Sequence, residues 1–221
     1  MMTTTKMDNV LLSETRIAGS DVEQLLDEAR QGHSEPLGQL LQLYRNYLTI
    51  LATTQLDRRL RRRMNASDLV QETMLAAHRD FGKFRGGTER EFLAWLRQIL
   101  IHCLHHAVET HVKAQRRDVR CEISLDQAGL ALDRSVANFA HALADPGPSP
   151  STPERQRERA VALADQLAKL RPEYRDVIVL RNLQGLPFEE VAERMNRKTG
   201  AVRMLWLRAI EKFKQVYEPI D

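Results

Sequence analysis

Cysteine is scarce in this 221-residue chain: there are two, Cys103 and Cys121. Two cysteines make no disulfide framework, and the count suits a reducing cytoplasm. Long apolar runs are missing as well. No stretch approaches the ~18 residues of a membrane span, so no membrane insertion is expected. The opening MMTTTKMDNVLLSETR lacks the apolar centre of a signal peptide. Strand-like alternation of polar and apolar residues is absent, and so is any internal repeat. Glycine clusters in Gly82-Lys-Phe-Arg-Gly-Gly87, which lacks the spacing and the trailing Lys-Ser/Thr of a phosphate loop. Nor is the charge one-sided: 33 Lys and Arg stand against 30 Asp and Glu, a net of +3. The total alone is weak ground for a nucleic-acid partner, but its distribution is uneven. Arg171 to Lys214 holds ten basic and six acidic residues. Two further basic concentrations are Arg58 to Arg63 and Lys113 to Arg120. Separate basic and acidic patches suit DNA on one surface and a protein on another.

What is present is helical periodicity, and the fold class it predicts is all-α. Residues 1–19 read as a polar tail. Ser20 or Asp21 caps a first helix carrying Val22, Leu25, Leu26 and Ala29, which Gly32 ends. A second helix carries Leu37, Leu40, Leu41, Tyr44, Leu48 and Leu51. Asn65 and Asp68 form a capping box for a third, with Val70, Met74, Ala77 and Phe81 inward and Asp68, Gln71 and Glu72 outward. Thr88 and Glu91 repeat the box at the head of a long helix through Phe92, Trp95, Leu96, Ile99 and Leu100. That helix runs on into His102, Cys103, His105, His106 and His111, then Lys113, Arg116 and Arg117. Trp95 is expected in the core. The pattern then breaks. Asp145-Pro-Gly-Pro-Ser-Pro-Ser-Thr-Pro153 cannot stay helical, so residues 122–158 read as a flexible linker between two helical domains.

Periodicity resumes with Ala160, Leu163, Ala164, Leu167 and Leu170, and a helix follows from Glu173 to Leu183. The stretch Gln184–Lys214 then reads as two helices around a polar turn. Phe188, Val191, Ala192 and Met195 fall at i, i+3, i+4 and i+7, behind Pro187. Asn196-Arg197-Lys198 make the turn, and Thr199 is the expected N-cap. Val202, Leu205, Trp206, Ala209, Phe213 and Val216 stripe one face of the last helix. Its other face carries Arg203, Met204, Leu207, Arg208, Glu211 and Lys214. A helix-turn-helix presents such a face to a DNA major groove, although an ordinary helical hairpin has the same outline.

Two groups of short motifs carry a resemblance. The first is Asp68-Leu-Val-Gln71-Glu, then Phe84-Arg-Gly, then Phe92-Leu-Ala-Trp95-Leu-Arg-Gln-Ile99. The second is Leu170-Arg-Pro-Glu-Tyr-Arg175-Asp-Val-Ile-Val-Leu-Arg181, then Gly185 to Ala192, then Gly200-Ala-Val-Arg203 with Arg208-Ala. In order and spacing the chain resembles regions 2 and 4 of the bacterial extracytoplasmic-function (ECF) sigma factors of the sigma-70 class. The resemblance implies region 2 over residues 20–121 and region 4 over 159–221. It implies core RNA polymerase, through its β′ and β subunits, and promoter DNA as partners. Many members of the family are also held by an anti-sigma factor. No cofactor, no catalysis and a cytoplasmic location follow from the same likeness. By family position, Asp68, Gln71 and Glu72 dock on β′. His102, His105, His106, Lys113, Arg116 and Arg117 read the −10 element; the family often has Asn near His102. Arg203, Met204, Leu207 and Arg208 face the −35 duplex, with Met204 replacing a small polar residue. Arg175, Arg181, Lys198 and Thr199 are candidates for phosphates.

The linker fits that geometry. Promoter elements two to three helical turns apart are separated by roughly 70–100 Å. The stretch from Glu122 to Glu158 can extend to on the order of 120 Å. Two rivals fit parts of the pattern. A dimeric DNA-binding regulator would use the C-terminal hairpin alone. A metalloenzyme could use His102, Cys103, His105, His106, Glu109 and His111, since His102 and His106 are one helical turn apart.

Overall fold

The computed structural model describes residues 19–56, 64–111 and 152–217, and every regular element among them is helical. The first is α1 (Gly19–Arg30), which starts just ahead of the expected caps Ser20 and Asp21. It ends where Gly32 takes φ +93°, a left-handed angle that suits glycine. Then come α2 (Ser34–Leu43) and α3 (Arg45–Gln55). The sequence predicts one helix here, and the chain instead breaks at Tyr44, with φ −94° and ψ 1°. Tyr44 is buried and pinned from outside its own helix. Its hydroxyl donates to Glu89 Oε1 at 2.8 Å, and its ring lies 5.9 Å from that of Phe92. A tertiary anchor has overridden a continuous periodic pattern.

Next is α4 (Ala66–Asp80), opened by the expected box: Asp68 N–H donates to Asn65 Oδ1 at 2.8 Å, and Asn65 N–H to Asp68 Oδ2 at 3.1 Å. A 3-10 turn (Phe81–Lys83) leads to α5 (Glu89–His111). The loop between is fixed from both ends. Phe84 inserts beside Trp95, ring centres 5.1 Å apart. A Cβ on Gly86 would sit 2.6 Å from both Phe84 Cζ and Glu91 Cβ, so the turn has no room for a side chain there. The Glu91 carboxylate accepts from Gly87 N–H at 2.8 Å, Thr88 N–H at 3.1 Å and the Thr88 hydroxyl at 3.0 Å. Phe81, Phe84, Phe92 and Trp95 pack as one aromatic cluster with Tyr44 at its edge. Trp95, expected in the core, is half-buried and packs against the core's edge through that cluster.

After the stretch outside the described residues comes α6 (Pro153–Ala168). It begins inside the segment read as linker, with proline at its first position. Then follow α7 (Pro172–Ile178) and a π turn (Val179–Leu183) that continues it. Last are α8 (Phe188–Arg194) and α9 (Thr199–Val216). The predicted helix to Leu183 is present, with its last turn widened. The principal contacts are α1 with α2, α4 with α5, α3 with α4, α7 with α9, and α8 with α9. Helix α3 also packs on α6 and on the π turn, so the buried residues of both halves form one core.

Three donors on one carboxylate hold Glu91 below its ordinary value of 4.5. A depressed carboxyl stabilises the fold above that ordinary value, and the contribution is lost as pH falls through the folded-state value. The thermal midpoint of Glu91→Gln should therefore lie below that of the native chain at neutral pH, and the gap should narrow below about pH 4. A gap that is constant from neutral to acid pH would show that the charge plays no part.

Candidate nucleic-acid interface

The hairpin is built by a helix stop of the Schellman type. Arg197 N–H returns to Ala192 O at 2.9 Å and Asn196 N–H to Glu193 O at 3.2 Å. That closure needs a left-handed residue, and Asn196 supplies it with φ +52°. The expected turn residues are in the turn, but Thr199 does not cap. Lys198 occupies the N-cap without a side-chain bond, and its carbonyl accepts from Val202 N–H at 3.1 Å. Val202, Leu205, Ala209 and Phe213 are buried against α7 and α8. Trp206 is half-buried, and its Nε1–H donates to Asn182 Oδ1 in the π turn at 2.9 Å.

The opposite face of α9 is open. Arg203, Arg208, Glu211 and Lys214 are exposed, and Met204 and Leu207 are 52% and 53% exposed. The two lie three positions apart and so share one strip of that face. Arg203 is held in place: Nη2 donates to Glu189 Oε1 at 3.2 Å, and its guanidinium lies 5.6 Å from the Phe188 ring centre. A groove beside the turn is lined by Glu189, Glu193, Arg197, Lys198 and Thr199.

Arg175 and Arg181 sit differently from Lys198. Arg175 Nε pairs with Asp176 at 3.2 Å, and its side chain is 17% exposed. Arg181 is half-buried, donates from Nη1 to Leu186 O at 2.9 Å and lies 4.7 Å from the Phe188 ring centre. Either would reach a phosphate only by exchanging those partners. Lys198 is exposed, and Thr199 is half-buried beside it.

On α4, Asp68, Gln71 and Glu72 are all exposed on one side. Asp68 keeps one carboxylate oxygen in the cap. Leu75 is 72% exposed, the highest among the large apolar residues described. It follows Asp68, Gln71 and Glu72 at i+7, i+4 and i+3, so it shares their face. Its spacing from those three residues is the sequence signal that marks it. On α5, His102, His105 and His106 are exposed, the adjacent pair lying one turn on from His102. Lys113, Arg116 and Arg117 lie outside the described residues, as does the side chain of His111. Among the described residues no group of three His, Cys, Asp or Glu could hold a metal ion. Cys103 is half-buried against α4, and burial pushes its thiol up while a bond with Thr73 opposes. No described helix is long and apolar enough to cross a membrane.

Two family models match the chain: Sigma-70 region 2 over residues 43–117, and Sigma-70, region 4 over residues 160–213. Together they take in more than half of it. The chain is 29% identical over 207 residues to the ECF RNA polymerase sigma-E factor of Haemophilus influenzae, an alignment covering 90% of this chain and 98% of that protein. It is 27% identical over 202 residues to the RNA polymerase sigma-H factor of Pseudomonas aeruginosa, covering 90% and 94%. It is 28% identical over 187 residues to the ECF RNA polymerase sigma factor BldN of Streptomyces coelicolor, covering 85% of this chain and 62% of that protein.

The turn geometry makes a stability prediction. Asn196→Gly should leave the melting transition unchanged or raise it. Asn196→Val should cost about 1–2 kcal/mol, since a branched side chain is strained in the left-handed region. Equal midpoints for both variants in chemical denaturation would mean that the turn does not depend on that angle.

Proposed function

Because the chain belongs to the ECF group of the sigma-70 family and directs promoter-specific transcription initiation with RNA polymerase, we propose the following division of labour among its residues. Residues 20–121 act as region 2 and 159–221 as region 4, with 122–158 between them and 1–19 as a tail. Asp68, Gln71 and Glu72 dock on the β′ subunit of core polymerase, and Leu75 adds an apolar anchor to the same face. Buried apolar anchors ringed by polar groups carry most of the energy of such interfaces. The protein works in the cytoplasm and performs no chemistry of its own.

The −10 element is read by the outer side of α5 and the chain beyond it, through His102, His105, His106, Lys113, Arg116 and Arg117. Taking a base out of its stack costs a few kcal/mol, which basic and ring side chains offset by holding it. The −35 element is read by α9. Arg203 and Arg208 can meet guanine O6 and N7 bidentately, worth roughly 1–3 kcal/mol of discrimination each. Met204 and Leu207 offer apolar contact, such as a thymine methyl accepts. Lys198 and Thr199 take phosphates, which fix register without specifying sequence. Arg175 and Arg181 join them only if Asp176 and Leu186 release them.

The observation that supports this most is the pair of open faces, on α4 and α9, each inside a segment matched by a sigma-70 region model. Run-off transcription with core enzyme on a promoter library is the direct test; no initiation from any promoter by folded protein would sink the proposal. Arg203→Ala should lose about 10- to 100-fold at the −35 element, the equivalent of its discrimination energy, with core binding kept. Asp68→Ala with Gln71→Ala, or Leu75→Glu alone, should weaken core binding about tenfold or more and leave the melting transition intact. Loss of core binding on Arg203→Ala would contradict the domain assignment.

A further inference from the structure

The outward face of α9 is ordered around its middle line. At about 100° per residue, Met204 and Leu207 fall within about 60° of each other, and Gly200 and Glu211 fall between them along the helix. Arg203 and Lys214 lie to one side of that line and Arg208 to the other. Arg203 is the fixed flank, because Glu189 and the Phe188 ring of α8 hold it. The first turn is low. A Cβ on Gly200 would meet nothing within 4 Å, and the small Ala201 beside it is exposed.

All four basic residues of α9, Arg203, Arg208, Lys212 and Lys214, are exposed, against one acidic residue, Glu211. That charge suits a polyanion. Yet Met204 and Leu207, at the centre, are two of the three large apolar side chains exposed among the described residues. Neither carries a hydrogen-bonding group beyond the weakly accepting Met204 thioether. The face is basic at its flanks and apolar along its middle.

A helix seated in the major groove turns its middle line to the base edges and its flanks to the walls. Most of those edges are polar. Guanine presents N7 and O6, adenine N7 and its N6 amino group, cytosine its N4 amino group and thymine O4. A thioether or isobutyl group pressed on such atoms strips their water and returns no hydrogen bond. The apolar feature among the four bases is the C5-methyl of thymine, where both partners shed water favourably. Met204 and Leu207 are three residues apart, a rise of about 4.5 Å along the helix. Base pairs follow one another at about 3.4 Å, so the two side chains meet methyls on the same or neighbouring pairs.

A methyl contact of this kind does not separate thymine from 5-methylcytosine. The two pyrimidines share the C5-methyl and differ at position 4, an oxygen acceptor in one and an amino donor in the other. Met204 and Leu207 have no group that pairs with either. Glu211 could accept from an amino group, but it lies one turn, about 6 Å, beyond Leu207 and faces a different pair.

We propose that Met204 and Leu207 form a methyl-reading strip. At the base pairs they face, α9 accepts a C5-methylated pyrimidine, thymine or 5-methylcytosine, and rejects unmethylated cytosine. A −35 element with cytosine at these positions is then bound according to its methylation. The proposal rests on the reading of α9 as the −35 helix.

The test uses holoenzyme assembled from core polymerase and the full chain, on a promoter that supports run-off transcription. Each thymine of the −35 element is replaced in turn by deoxyuridine, which removes the methyl alone. At one or two positions binding should weaken about fourfold, as expected for one buried methyl. With cytosine placed at those positions, 5-methylcytosine should bind about fourfold tighter than cytosine. Met204→Ala with Leu207→Ala should bring both ratios to about one. Both side chains are exposed, so the melting transition should stay in place, and the ratios of the native chain need no variant. Equal binding of thymine and deoxyuridine at every position would overturn the strip, as would an initiating element that holds no thymine. Ratios that survive the double variant, or a thymine preference without the matching one for 5-methylcytosine, also overturn it. Weakened core binding in the double variant with unchanged methyl ratios would assign the strip to a protein partner instead. If no promoter in a library gives a transcript, it is the sigma reading that fails. The same ratios, measured with the full chain on duplexes enriched from a random pool, then still decide the strip.

Discussion

Helix α3 has no face toward water between Tyr47 and Thr54, and most of the fold is arranged by how that burial is shared. Its tyrosine and leucine side is enclosed by α2, α4 and α5. Its threonine side is enclosed by α6 and the π turn. Burying a leucine stabilises by roughly 1.5–3 kcal/mol, whereas a threonine bonded to its own helix contributes far less on either side of the balance. The tyrosine and leucine side therefore supplies the larger share from α3, while on the other side buried Ile50 meets the apolar residues of α6.

Caps and local packing explain why the outward faces can be polar and still well placed. Asp68, Gln71, Glu72 and Leu75 project from α4 because the capping box fixes where that helix starts and Val70 and Ala77 fix its rotation. The histidines of α5 are aimed by Glu91 at one end and by Phe92 and Trp95 along the shaft. In the hairpin, Phe188 does comparable work. Its ring meets Trp206 edge-on at 5.7 Å, with Arg181 and Arg203 against it. An arginine resting on an aromatic ring keeps its charge and loses rotamer freedom before any ligand arrives. Arg203 is preorganised in this sense, and its exposed pair with Glu189 contributes little stability of its own.

Much of this was legible in the residues alone, and the unread part has a consistent cause. Both capping boxes and the polar turn at Asn196 are local, and the inward stripes of α4 and α9 show in their own spacing. Periodicity and cap chemistry register such features directly. The break at Tyr44 depends on Glu89 and Phe92, more than 40 residues away, and nothing near Tyr44 announces it. Thr199 looked like a cap because its chemistry is right, yet the helix starts on Lys198, where the backbone turns. Arg181 looked free for phosphate because its charge is visible in sequence and the Leu186 carbonyl that holds it is not. The bond from Gln184 to Thr54 crosses 130 positions.

Widening the helix at Val179–Leu183 ties several of these together. A π turn shifts the residues after it around the axis relative to an α-helix, and such turns are frequent at functional places. Here it directs Asn182 to the Trp206 indole, Arg181 to Phe188 and Leu186, and the chain end at Gln184 to α3. A regular helix through this stretch would carry those three side chains to other directions, and the hairpin would lose its brace on one side or α3 its contact on the other. The turn therefore serves both the internal bracing of the hairpin and its contact with α3.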